Sequence, residues 1–212
     1  MTLYGSSMSP FVRKVMAYLA EKGLSAEIVP VGVQDRNPAF RAASPFGKMP
    51  GFTDGDFAIS DSTAIITYLE AKHPTPSMIP ADPASRARTV WYEEFADTIL
   101  IACMGKVFFN RVVAPRFLGL PGDQAVADAA EKDEFPPLAD YLEGIVPPSG
   151  FLVDDRLTLA DLAVASPFVN FAHVGIEVDA KTHPKTRAYV DAILARPCFA
   201  PIIAQEKAFF AR

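Results

Sequence analysis

The sequence has few of the residues that form disulfides and metal sites. Its 212 residues include 2 cysteines, Cys103 and Cys198, and 3 histidines. The cysteines form no Cys-x-x-Cys pair and the histidines follow no metal-ligand spacing, which argues against a disulfide framework and a metal site. Both cysteines lie in stretches with a helical pattern, so we expect them to be buried free thiols in the reducing cytoplasm.

Basic charge and long apolar runs are also scarce. With 20 Lys and Arg against 25 Asp and Glu, the formal net charge is -5, whereas a nucleic-acid binder needs a basic face. The most apolar run, 99–105, falls short of the roughly 18 residues that span a membrane. No basic segment precedes the first strand pattern, so we expect no signal peptide. These features predict a cytoplasmic protein with neither nucleic-acid nor membrane partners.

Apolar residues are plentiful, and in the first third of the chain they alternate between strand and helix patterns. Half of all residues are hydrophobic, which is typical of a globular protein with a substantial core. Strand patterns at 2–4 and 26–31 flank a helix pattern over 10–22. A hairpin with Asp54-Gly55 as its turn then precedes a helix that we expect to end at His73. The order β-α-β-α-β-β-α predicts an α/β thioredoxin-like domain over residues 1–77.

A cluster of prolines separates this region from the rest of the chain, at positions 74, 76, 80 and 83. We interpret residues 78–85 as a linker, because such clusters are typical of domain boundaries. Residues 86–212 carry helix patterns only, including a long helix that we expect to break before Pro115. Thr158 and Asp161 have the spacing of a capping box. The sequence therefore predicts an all-α helical-bundle C-terminal domain.

The head of the first predicted helix is the first candidate functional site. Ser9-Pro10 is a strong helix start, since serine caps helices and proline favours the first helical position. The unpaired N–H groups and the positive end of the helix dipole stabilise an anion or a thiolate there. Ser9 is either a simple cap or a hydrogen-bond donor to such a group.

Two further motifs carry candidate binding groups. In Lys48-Met49-Pro50, a cis proline would leave the backbone N–H and C=O of Met49 free to pair with an extended peptide, and a trans proline at a strand start is the alternative. In the 60–63 cluster, Asp61 and the Ser62 hydroxyl have the chemistry to hold the ammonium and the carboxylate of an amino acid. The alternative there is a plain helix cap.

Together these motifs resemble the cytosolic glutathione S-transferases, and the resemblance covers essentially the whole chain. Each motif alone is weak evidence for this family, whereas their order and spacing together are strong evidence. The matching segments are Ser9–Val15, Asn37–Phe40, Ser44–Pro50, Asp54–Phe57, Ile59–Ile65, Tyr68–Glu70 and Leu157–Leu162.

The resemblance implies a glutathione site in the first domain. Pro50 is expected to be cis and Met49 to pair with the cysteinyl backbone of glutathione, which is the expected co-substrate. Asp61 and Ser62 are expected to bind the γ-glutamyl end, although the family usually has glutamate at the position of Asp61. Lys48 falls where a residue often reaches the glycyl carboxylate.

The Ser9-Pro10-Phe11 sequence is similar to serine-type, bacterial-like members, which implies that the Ser9 hydroxyl activates the thiol. Tyr4, Ser6 and Ser7 stay open as alternative hydroxyls. A pocket for the second substrate is expected between the domains. Its candidate residues, which are equally candidates for the core, are Met8, Phe11, Phe46, Phe95, Met104 and Phe108.

The implied activity is conjugation of the glutathione thiolate to a hydrophobic electrophile. Glutathione-dependent isomerase, lyase or dehalogenase chemistry remains an alternative, as does a non-catalytic ligand-binding member. The family also implies a homodimer, and no metal cofactor is expected.

Overall fold

The structure, a computed structural model, describes residues 1–32 and 35–211. It divides into two compact units. The first comprises Met1–Ile79 and the segment that begins at Pro197, and the second comprises Pro80–Arg196.

The first unit contains a mixed sheet with the strand order β2-β1-β3-β4. β1 and β2 are parallel, and the other pairings are antiparallel. The thioredoxin-like order predicted from the sequence is confirmed. Its elements are β1 (Thr2–Tyr4), α1 (Pro10–Glu21), β2 (Glu27–Val29), α2 (Pro38–Ala43), β3 (Gly51–Asp54), β4 (Phe57–Ser60) and α3 (Ser62–Lys72).

Helix α1 packs so closely on the end of β1 that position 5 has no room for a side chain. A Cβ atom added to Gly5 would lie 2.4 Å from Cγ2 of Val12. Val12 is fully buried, as is Leu3 on the strand, so neither surface has room to move away. Glycine at this position therefore lets the segment between strand and helix lie against the core.

The hairpin turn lies one residue later than the sequence indicates. Asp54 pairs with Phe57, which leaves Gly55 and Asp56 as the two turn residues instead of Asp54-Gly55. Gly55 has a φ of 60°, which glycine adopts without steric cost. Asp54 instead accepts a hydrogen bond from Tyr68 Oη at 2.9 Å and pairs with Lys72, so its side chain ties the hairpin to α3.

The second unit is helical, as the sequence predicts. Its core is α8, which is buried along nearly all of its length and contacts α4, α5 and α9. The helices of this unit are α4 (Pro83–Glu94), α5 (Ile101–Phe108), α6 (Gln124–Ala129), α7 (Phe135–Ile145), α8 (Leu159–His173) and α9 (Pro184–Leu194), with π-helical segments at Phe95–Leu100, Phe109–Leu118 and Ala130–Glu134.

The capping box at the start of α8 is confirmed. The carboxylate of Asp161 accepts the backbone N–H of Thr158 at 2.8 Å and that of Leu152 at 2.9 Å. The Tyr189 hydroxyl from α9 also donates to it. Asp161 therefore joins the start of α8 to a neighbouring loop and to α9.

The expected break before Pro115 is wrong, because the helix continues to Leu118. Pro115 lies inside a π-helical segment. The wider π turn already disrupts the regular hydrogen-bond ladder, so the missing proline N–H and the bulk of its ring are tolerated there.

Among the described residues, one continuous helix, Pro83–Leu118, is long and apolar enough to cross a membrane by length and composition alone. In the sequence, the longest uninterrupted apolar run, 99–105, covers only part of this helix. The core helix of a soluble protein passes the same test, so this single helix is weak evidence for a membrane. Its buried residues, including Phe95, Leu100 and Val107, contribute to the core of the second unit.

The C-terminal helix α10 (Ala200–Phe210) belongs to the first unit, whereas the sequence pattern places it in the predicted C-terminal domain, 86–212. The guanidinium of Arg13 on α1 and the carboxylate of Glu206 on α10 form a buried ion pair at 2.9 Å. A buried charge requires a partner, and the partner of Arg13 lies 193 residues away along the chain. Local sequence patterns do not reveal such a contact.

Candidate active site

Three segments that carry candidate residues meet at one end of the sheet. Gly51, the first residue of β3, pairs with Tyr4 at the end of β1 and with Ser60 at the end of β4. Neighbouring strands lie about 4.8 Å apart, so these residues form a short row. The chain continues from Tyr4 to the start of α1 and from Ser60 to the start of α3. The loop that precedes β3 leads into Gly51.

Ser9 caps α1. Its Oγ accepts the N–H of Val12 at 3.5 Å, and its carbonyl accepts the N–H of Arg13 at 2.9 Å. In residues 1–32 and 35–211, the Ser9 hydroxyl has no acceptor for its own hydrogen. A hydroxyl accepts through a lone pair and donates through its hydrogen. The cap and the donor roles are therefore compatible: the same Oγ accepts from Val12 through a lone pair and keeps its hydrogen to donate.

The alternative hydroxyls lie in different environments. The Tyr4 ring is buried in a cluster with Val31 and Phe40, and its centroid lies 6.3 Å from that of Phe40. The Ser6 Oγ accepts the N–H of Met8 at 3.4 Å within the turn. Ser7 is half-buried. Tyr4 thus contributes to the core, whereas Ser9 sits at the positive end of a helix.

The loop before β3 presents an unpaired stretch of backbone. The Met49–Pro50 peptide bond is cis, as the resemblance implies. Across the described parts of the chain, the backbone N–H and C=O of Met49 have no hydrogen-bond partner. Those of Lys48 both form hydrogen bonds with the Ser44 hydroxyl, a contact that no local sequence pattern indicates. The side chain of Lys48 is exposed.

Asp61 is the N-cap of α3. Its Oδ1 accepts the N–H groups of Thr63 and Ala64 at 2.9 and 3.1 Å, so the cap interpretation holds for this oxygen. The residue has a φ of 81°, a region that costs a non-glycine residue about 1–3 kcal/mol. Backbone strain of this kind often marks a functional site.

Ser62 follows as the first residue of α3. It is 1% exposed, and its Oγ has no hydrogen-bond partner among the described residues. A buried hydroxyl without a partner costs about 1–3 kcal/mol, and native structures contain few of them. The cap interpretation does not account for this hydroxyl, because Asp61 performs that function.

The candidates for a second-substrate pocket are divided between the two units. Met8 and Phe11 are half-buried in the first. Phe108 is buried in the second, together with Phe95 and Met104, a position that also fits the core interpretation. Phe46 in the first unit is 89% exposed. Their assignment to a pocket stays a prediction.

No cluster of three or more potential metal ligands from His, Cys, Asp and Glu occurs within residues 1–32 and 35–211. Cys103 is buried, and burial raises the pKa of its thiol to about 11. Cys103 is therefore a protonated structural thiol and not a nucleophile.

Comparison with known proteins identifies the family. The family model described as "Glutathione S-transferase, N-terminal domain" matches residues 3–77, and "Glutathione S-transferase, C-terminal domain" matches residues 98–197. A glutathione S-transferase from Hyoscyamus muticus is 33% identical over 211 residues, which is 96% of this chain and 97% of the relative.

Solved structures agree with this assignment. A glutathione S-transferase from Rhodospirillum rubrum F11 superposes with a TM-score of 0.85 at 27% identity, covering 95% of this chain and 90% of that one. The structure of glutathione S-transferase-I bound with lactoylglutathione has a TM-score of 0.80 at 25% identity, covering 96% and 98%. Since the family models span most of the chain, this protein belongs to the glutathione S-transferase family and is a transferase.

Proposed function

We propose that this transferase conjugates the thiolate of glutathione to a hydrophobic electrophile. The observation that carries the proposal is the buried, unpartnered hydroxyl of Ser62 at the head of an 11-residue helix. A buried hydroxyl of this kind is stabilised by an acceptor, and the γ-glutamyl carboxylate of glutathione has the chemistry of one.

The head of α3 suits the γ-glutamyl end of glutathione. The Ser62 hydroxyl donates to the carboxylate, and the positive end of the helix dipole stabilises its charge. Asp61 uses Oδ1 for the cap, which leaves Oδ2 to accept from the ammonium group. A carboxylate and a hydroxyl in adjacent positions thus match the two charges of an amino acid.

The loop before β3 suits the rest of the tripeptide. The free N–H and C=O of Met49 pair with the cysteinyl C=O and N–H, in the way that an added strand pairs with a sheet edge. Pro50 begins the turn into β3 and cannot donate to the ladder itself. The exposed ammonium of Lys48 attracts the glycyl carboxylate.

Ser9 is the proposed thiol-activating residue. Its free O–H hydrogen donates to the thiolate, and the N-terminal dipole of α1 favours the negative charge. Both effects stabilise the thiolate more than the thiol, so a larger fraction is ionised at neutral pH. The thiolate then attacks an electrophilic carbon and forms a C–S bond, while the electron pair leaves on the departing group or moves into the electrophile.

For the electrophile we propose a hydrophobic molecule. Within the first unit Met8 and Phe11 are candidate contacts for it, and within the second unit Phe108 is a candidate. Apolar and aromatic side chains are typical of such sites. Isomerase, lyase or dehalogenase chemistry would use the same thiolate, and assays with different electrophiles distinguish them. We assign the glutathione-binding role to residues 1–77 and propose a cytoplasmic homodimer of serine type.

The direct experiment combines binding and turnover. We expect the protein to be retained on immobilised glutathione and to conjugate a chlorinated nitrobenzene at millimolar glutathione. Retention without conjugation of any electrophile would favour the non-catalytic alternative. Loss of both would contradict the proposal.

A further inference from the structure

A single buried hydroxyl fixes the backbone just before Met49. The Oγ of Ser44 donates to the C=O of Lys48 at 2.7 Å and accepts the N–H of Lys48 at 3.0 Å. Ser44 is itself held at the end of α2, where its N–H donates to the C=O of Phe40 at 2.7 Å. Its side chain is 1% exposed, so the hydroxyl has little freedom to turn elsewhere.

This double contact decides which residue of the loop presents free backbone groups. Because Ser44 satisfies both polar groups of Lys48, the next residue, Met49, is left with an unpaired N–H and C=O. Without the hydroxyl, the Lys48 groups would be unpaired as well, and the loop could rotate so that either residue faced a ligand. The cost of that rotation falls, since the two hydrogen bonds that hold the Lys48 backbone are lost.

We propose that Ser44 is a positioning residue that sets the register in which glutathione pairs with the protein backbone. The inference rests on the proposed function, in which Met49 pairs with the cysteinyl unit. Ser44 does not touch glutathione; it acts by excluding Lys48 from the pairing and by fixing the direction of the Met49 groups.

The test uses an analogue of glutathione in which an ester replaces the amide between the γ-glutamyl and cysteinyl units. The ester lacks the N–H that donates to the Met49 C=O. We expect the wild-type protein to bind glutathione about tenfold more tightly than this ester, since one hydrogen bond is lost and one acceptor is left unpaired. In Ser44→Ala, we expect this preference to fall to about threefold or less.

Controls separate this role from a general loss of stability. Ser44→Thr retains a hydroxyl and is expected to keep the preference of the wild type. Thr89→Val removes another buried hydroxyl, which donates to the Ser85 C=O in the second unit, and is expected to leave the preference unchanged. In turnover, Ser44→Ala raises the KM for glutathione but not that for the chlorinated nitrobenzene.

A measurement on the wild-type protein makes the inference independent of whether Ser44→Ala folds. In amide hydrogen exchange without ligand, the Lys48 amide should be protected and the Met49 amide should exchange freely, and glutathione should protect Met49. Equal exchange of both amides in the free protein would overturn the inference.

The outcomes also distinguish the inference from the function on which it rests. No preference for glutathione over the ester in the wild type would contradict the proposed Met49 contact. A wild-type preference that persists in Ser44→Ala would overturn the role of Ser44 alone.

Discussion

The guanidinium of Arg13 donates from Nε and Nη2 to the two carboxylate oxygens of Glu206, at 3.1 and 2.9 Å. Both side chains are almost fully buried. Burial lowers the pKa of Arg13 and the adjacent carboxylate opposes that shift. Arg13 also donates its backbone N–H to the Ser9 carbonyl, so this pair ties the C-terminal helix to the first turn of α1.

Removal of one member of this pair should be far more damaging than removal of both. Glu206→Leu removes the carboxylate that forms a bidentate pair with the buried Arg13 guanidinium, and we expect a loss of about 3–5 kcal/mol in the free energy of unfolding. Arg13→Met combined with Glu206→Leu should recover most of that loss, since both charges of this pair are removed. Urea denaturation of the three proteins measures both effects. A double variant as unstable as Glu206→Leu would contradict this account.

Ser62→Ala should separate binding from stability. The variant removes a buried hydroxyl that has no partner, so we expect the free energy of unfolding of the unliganded protein to stay the same or rise. Glutathione binding should weaken by roughly tenfold or more, because a hydrogen bond to a charged group is lost. Calorimetric titration and thermal denaturation measure the two quantities. Asp61→Ala is less informative, since Asp61 also caps α3. Unchanged affinity in Ser62→Ala would exclude the proposed γ-glutamyl contact.

Phe46 should anchor the proposed homodimer. It is 89% exposed, the largest exposed fraction among the large apolar residues that the structure describes, and burial against a second chain would remove this apolar surface from water. We expect a mass near twice 23.0 kDa for the wild type by light scattering, and a shift towards one chain in Phe46→Ala. Phe57→Ala is the control, since Phe57 is also exposed but stacks on Tyr68 of its own chain. Equal masses for Phe46→Ala and the wild type would rule out this anchor.

Asp161 should make stability depend on pH. Burial raises its pKa from 3.8 to about 6, against the opposing effect of its hydrogen bonds. The folded state then binds more protons than the unfolded state between these values, so its stability falls as the pH rises through that window. Relative to Asp161→Asn, the free energy of unfolding of the wild type should fall by up to about 3 kcal/mol between about pH 4 and pH 6. Above about pH 6 this difference should change little. A difference that stays constant or grows over this range would contradict the shifted pKa.

The sequence predicts those features that depend on residues within one helical turn, such as the starts of α1 and α8. Helix α1 begins after Ser9, and α8 begins with the Thr158–Asp161 capping box, because caps and proline act within one turn. The chemistry of Lys48-Met49-Pro50 and of the Asp61-Ser62 pair indicates candidate binding groups, and the family resemblance implies their ligand. The strand row through Gly51 brings the two motifs to one end of the sheet.

Other features depend on contacts that sequence patterns do not carry. The hairpin turn lies one residue later than the sequence predicts, because Asp54 pairs with Phe57 in the sheet and its side chain accepts a hydrogen bond from Tyr68 on α3. The helix continued through Pro115 because a π turn accommodates proline. Helix α10 lies in the first unit, where Glu206 pairs with Arg13 across 193 residues of sequence. That the Ser62 hydroxyl has no partner follows only from the three-dimensional positions of its neighbours.

The most direct test of the central claim is the ionisation of bound glutathione. The ultraviolet absorbance of the thiolate, followed against pH, gives the pKa of the bound thiol in the wild type and in Ser9→Ala. We expect a pKa well below the roughly 8.5 of a free thiol in the wild type. In Ser9→Ala it should return towards that value, with turnover reduced by about 10- to 100-fold and glutathione affinity little changed. Identical titration curves for the two proteins would show that Ser9 only caps its helix, and would contradict its role in activating the thiol.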